Sequence, residues 1–186
     1  MTHLQLSTVA AGVGLIYALP HVYGLLNPAS FAAAMRKFPR STPIGWVLTL
    51  GATAWFLYYV SLETVADFAN MKPFLYLLFG AVGIGTCLFV RDFLAVRGLA
   101  VILLLCAKLI TDTARVVDTD WRLVLVTLAY VWVFVGMWFT ISPWRLRDLI
   151  EWGTASEART RLFSGLRLAF GVFMLVLAVT VYRGAA

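Results

Sequence analysis

Six times in 186 residues this chain runs for roughly twenty residues with almost no charge, and short polar or proline-bearing turns separate the runs. An α-helix rises 1.5 Å per residue, so a run of that length matches a hydrocarbon core about 30 Å thick. Lipid offers no water to backbone N–H and C=O groups, and a helix is the form that satisfies them within one segment. The runs predict transmembrane helices over about 4–26, 44–61, 73–90, 97–115, 121–141 and 162–182.

Composition agrees with that reading and excludes several others. Hydrophobic residues make up 62% of the chain and charged residues 13%, about half the charged share that a soluble domain uses to cover its surface. The net charge of +6 does not point to nucleic acid, because the basic residues sit in short turns between apolar helices, where membrane orientation explains them. Cys87 and Cys106 both fall inside predicted spans; two such cysteines form neither a disulfide framework nor a metal spacing, and they read as small packing residues. The first run has no Lys or Arg before it and no small-residue cleavage site after it, so it is expected to stay in the membrane.

The expected fold is all-α: a single domain over residues 1–186, a polytopic bundle of six transmembrane helices with two short amphipathic helices in the interface on the cytoplasmic side. Asn27-Pro28 pairs an N-cap with a proline at the first helical position, and it opens a helix over 28–38 that brings Phe31, Met35 and Phe38 together. Ser142-Pro143 repeats the device for a second helix over 143–152, where Arg147 and Glu151 stand at i,i+4. Pro20-His21 is expected to interrupt the first span. The second span is expected to extend through the acidic pair Glu63 and Asp67. Ala81 and Gly85 carry small-residue spacing for close helix approach in the third, residues 91–97 form a short, half-apolar link, and residues 153–160 form a polar break.

Charge sets the expected orientation. Arg36, Lys37, Arg40, Arg91, Arg97, Arg145, Arg147, Arg159 and Arg161 fall on one side of the six-span plan; Lys72, Arg115, Arg122 and Arg183 fall on the other. The positive-inside rule makes the first side cytoplasmic and puts both termini outside, most economically in a bacterial inner membrane.

Three groups of residues carry the candidate chemistry. Lys108, Asp112 and Arg115 share one helix face at i, i+4 and i+7, forming an intramembrane polar cluster. Local pairing with Arg115 in the headgroups accounts for them, and a polar lining for an ion, a proton or an anionic ligand is the functional alternative. His21 lies near the end of the first span with Tyr17 one turn back. It reads as a hydrogen-bonded interfacial histidine, or alternatively as an axial ligand to a tetrapyrrole such as haem, although such helical sites usually bring two facing histidines and His3 is terminal. Arg159, Arg161 and Arg167 are expected to snorkel to the interface or to bind an anionic lipid phosphate together.

No nucleotide loop, zinc-protease motif, serine elbow or paired-cysteine motif occurs, and the sequence calls for neither a metal nor an enzymatic activity. The leading expectation is a small non-catalytic membrane subunit or scaffold of a larger assembly, whose partners are lipids and other membrane subunits or copies of itself. The alternatives are a small oligomeric channel or transporter lined at Lys108 and Asp112, and a pigment- or haem-associated protein using His21.

Overall fold

The computed structural model describes residues 5–64 and 70–184. Among these residues the chain is helical without strands. The helices are α1 (Leu6–Leu26), α2 (Pro28–Lys37), α3 (Thr42–Leu62), α4 (Lys72–Phe89), α5 (Leu94–Ala114), α6 (Arg122–Ile141), α7 (Trp144–Gly153) and α8 (Glu157–Gly184), with a 3-10 turn at Phe38–Arg40 between α2 and α3. Six of them (α1, α3, α4, α5, α6 and α8) are long and apolar enough to cross a membrane.

Several boundaries differ from the sequence expectation, each for a local reason. α1 runs unbroken through Pro20; a proline inside a helix removes one backbone hydrogen bond and need not end it when packing holds both sides. α3 stops at Leu62 and Glu63 turns extended, so the expected acidic extension does not form at Glu63; Asp67 lies outside the described residues. The 91–97 break shrinks, because Phe93 adopts φ 54° and its carbonyl accepts from the N–H groups of Val96 and Arg97. A left-handed aromatic residue is rare and costs about 1–2 kcal/mol, but it starts α5 three residues early and takes Arg97 into the helix. Ser156 Oγ accepts from the Arg159 N–H, so α8 begins at Glu157 and includes Arg159 and Arg161.

The chain forms two compact units. One comprises Met1–Arg36, Cys106–Trp132 and Arg147–Ala186, the other Lys37–Leu105 and Val133–Leu146. The first is organised on the pairing of α1 with α8, where Gly14 and Gly171 meet: a Cβ on Gly171 would stand 2.7 Å from the Ala18 nitrogen and 2.8 Å from the Gly14 carbonyl oxygen. Without a Cβ on either side the two backbones approach closely, and the interface fills with Val13, Ala18, Met174, Leu177 and Ala178, all buried. Tyr182 is almost fully buried and donates its hydroxyl to the Trp121 carbonyl at 2.8 Å, which ties the end of α8 to the start of α6.

In the second unit α3 is the shared partner. A Cβ on Gly98 of α5 would meet the Thr49 nitrogen at 2.8 Å, so α5 lies close against α3. On α4 the buried positions are Gly83 and Cys87, with Gly83 directly against Thr53. This corrects the expectation for Ala81 and Gly85: Ala81 is exposed, and a Cβ on Gly85 would meet nothing within 4 Å. The close face of α4 is rotated from the one its small-residue spacing suggested. Val96, Ala100 and Phe139 form a further core, packed by Phe93, Leu103, Val135 and Leu146.

Candidate functional site

The first unit brings together groups that the sequence leaves far apart. Tyr17 and His21 stand one turn apart on α1. The Tyr17 carbonyl accepts a hydrogen bond from His21 Nδ1 at 2.7 Å, and Arg167 Nη1 of α8 lies 3.4 Å from His21 Nε2. These partners fix the tautomer. A carbonyl cannot donate, so Nδ1 carries the proton; a guanidinium cannot accept, so Nε2 presents its lone pair. His21 is buried and neutral in this arrangement, with its ring 5.6 Å from that of Phe31. The Tyr17 ring lies parallel to Trp132 at 6.4 Å and edge-on to Phe170 at 5.2 Å, and its hydroxyl accepts from Trp132 Nε1 at 3.2 Å. The result is a small polar network flanked by Phe31, Trp132 and Phe170, with Arg167 exposed at its edge.

For a tetrapyrrole, the arrangement at His21 is occupied chemistry. The nitrogen that would ligate iron faces Arg167 and the other is engaged by a carbonyl, so ligation requires Arg167 to leave. No group of three or more metal-ligating side chains occurs among the described residues, and His3 lies outside them.

Lys108, Asp112 and Arg115 do assemble. Lys108 Nζ is 2.5 Å from Asp112 Oδ2, and Arg115 Nη2 is 3.6 Å from Asp112 Oδ1. One carboxylate thus serves two cations. The Lys108 and Asp112 side chains are 49% and 40% exposed, so the cluster lies on an open helix face and not in a sealed interior. Beside it, an open groove of about 340 Å³ is lined by Thr111, Arg115, Arg122, Leu123 and Tyr130. Arg122 is committed elsewhere, donating to the Val117 carbonyl at 2.7 Å.

Arg159, Arg161 and Arg167 do not come together. At about 100° per residue, Arg161 stands on nearly the opposite side of α8 from Arg159. Arg159 lies 5.7 Å above the Trp152 ring, Arg161 reaches Glu157 at 3.9 Å, and Arg167 reaches His21. A contact the sequence does not announce joins α2 to the turn before α8: Arg36 Nε donates to Thr154 Oγ1 at 2.9 Å, and Arg36 Nη2 donates to the Thr154 carbonyl. These two elements flank an open groove of about 360 Å³. On α7, Arg147 pairs with Asp148 at 2.8 Å and more loosely with Glu151 at 3.9 Å; the hydrogen bonds it donates to the Asp148 carboxylate hold its guanidinium above the ordinary value.

Of these contacts, the Lys108–Asp112, Arg115–Asp112, Arg147–Glu151 and Arg161–Glu157 pairs follow from helical spacing. Set beside known proteins, the chain has no match among family models, curated proteins or solved structures.

Proposed function

We propose that this protein is a small non-catalytic integral membrane subunit or scaffold, seated in a bacterial inner membrane with both termini outside the cytoplasm. In this reading α2 and α7 lie in the cytoplasmic interface, each presenting arginines beside apolar side chains. The observation that carries the proposal is α4. It buries only Gly83 and Cys87, while Phe74, Leu77, Val82, Ile84 and Phe89 are all more than half exposed. A helix used so little for its own fold has a face left for lipid and for neighbouring transmembrane helices.

Gentle extraction from the native membrane, followed by native mass spectrometry, tests this. Partner chains, or further copies of this chain, at fixed stoichiometry are the expected result; a monomer carrying only lipid counts against it. Replacing Leu77 and Ile84 by alanine should weaken the assembly without unfolding the chain.

A second reading, an oligomeric channel or transporter, is favoured by one feature. Lys108, Asp112 and Arg115 form a charged strip on an open face, which copies of the chain could turn toward a shared axis. Ion flux in liposomes that disappears on Lys108→Ala supports it, and no flux in the parent protein ends it.

A further inference from the structure

We infer that Arg167, held in place by His21, is a seat for the phosphate of an anionic lipid. The Tyr17 carbonyl holds the His21 proton on Nδ1, so Arg167 is held by a neutral lone pair. That contact orients the guanidinium without neutralising it. Among the described residues no carboxylate lies within ion-pair reach of Arg167. Lys108, by contrast, shares Asp112 with Arg115.

Position and shape point to the occupant. Arg167 stands ten residues into α8, about 15 Å from its start. The next fourteen residues, Leu168 to Val181, carry no charge, so the guanidinium marks the edge of the apolar run. Its side chain is exposed, and helical side chains lean toward the N-terminus of their helix, here toward the expected headgroup level. An uncompensated cation at that depth is costly and takes an anion where one is available. A guanidinium has five donors in a planar fork that matches phosphate oxygens, and His21 engages one nitrogen, leaving the rest of the fork to bind. The seat depends on Arg167 and His21, not on the Arg159–Arg161–Arg167 trio, whose members point different ways.

The test uses the full chain reconstituted in phosphatidylcholine vesicles holding a minor share of phosphatidylglycerol. Spin-labelled lipids report the preference of the protein-contacting layer for phosphatidylglycerol over phosphatidylcholine. The parent should prefer phosphatidylglycerol about fivefold, the effect of one cation near an anionic surface. R167Q should bring the ratio close to one, and R167K should keep most of it. The R159Q/R161Q double variant and R183Q should leave it within twofold of the parent. H21A, which frees the guanidinium to wander, should fall between. A preference unchanged in R167Q overturns the proposal, as does one lost only in R159Q/R161Q. If inorganic phosphate added to the buffer displaces the labelled lipid, the seat belongs to a soluble anion and the lipid assignment fails. Should R167Q not fold, the R167K and H21A pair still decides: equal ratios in R167K, H21A and the parent exclude an oriented seat.

Discussion

Gly171→Ala is the most incisive perturbation of the fold. The added Cβ would stand 2.7 Å from the Ala18 nitrogen, 2.8 Å from the Gly14 oxygen and 3.1 Å from the Ala18 Cα, all backbone atoms of α1. No rotamer change can relieve such contacts. Ordinary van der Waals contact begins near 3.4 Å, so α1 and α8 must separate by about 0.7 Å. A gap of that size forfeits roughly a third of the attraction of each atom pair; over about forty pairs of ~0.15 kcal/mol the loss is near 2 kcal/mol. That lies within the ~1–3 kcal/mol typical of overpacked cores. In a membrane the loss is not offset elsewhere, because helix association there rests on close packing. Gly12→Ala supplies the control on α1: its Cβ would meet nothing within 4 Å, and alanine favours the helix. Reversible unfolding in bicelles should find Gly171→Ala less stable by about 2 kcal/mol and Gly12→Ala at least as stable as the parent. Equal stability of the two variants would falsify the close α1–α8 packing.

Three further outcomes follow from the polar groups. Asp112→Asn removes the carboxylate that Lys108 and Arg115 share, and should raise the membrane-insertion cost of the Leu94–Ala114 segment by about 1–2 kcal/mol, the full penalty being reduced by exposure and snorkelling; the Lys108→Ala/Asp112→Ala variant should recover most of it in a translocon-insertion assay, and no recovery would show that the pair is not the reason. In a His3→Ala background, nitrogen NMR should find His21 protonated at Nδ1 and bare at Nε2. Acid that protonates Nε2 should abolish the coupling to Arg167, so the contact is present at higher pH and lost as pH falls; an Nε2–H tautomer at neutral pH would refute the network. Arg36→Ala should speed hydrogen exchange several-fold across α2 and residues 154–156, whereas Lys37→Ala should not; identical exchange in both variants would mean that Arg36 does not pin these elements together.

How much of this was legible in the sequence divides along physical lines. The six long helices were readable because crossing lipid requires long apolar runs, and hydropathy reports those directly. Helix ends are less readable where a single residue decides them: Phe93 opens α5 through a left-handed turn that no composition rule suggests for an aromatic residue, and the Ser156 hydroxyl starts α8 inside a stretch that reads as a polar break. Pairs at helical spacing, Lys108–Asp112 and Arg147–Glu151, were readable because both partners share one helix. The His21–Arg167 and Tyr17–Trp132 contacts were not, since 146 and 115 residues separate the partners and only the tertiary packing joins them. The face of α4 is not readable from spacing for a related reason. Ala81 and Gly85 have the right spacing, but Thr53 on α3 selects Gly83 instead.

Six helices are long and apolar enough to cross the bilayer, and the location of the two ends tests most directly whether all six do. Reporter domains fused at each terminus in turn, one active only outside the cytoplasm and one only within it, read this in intact cells. Six crossings, with the arginine-rich turns inside, predict that both ends report from outside. Ends on opposite sides would contradict the six crossings, and both ends in the cytoplasm would contradict the orientation.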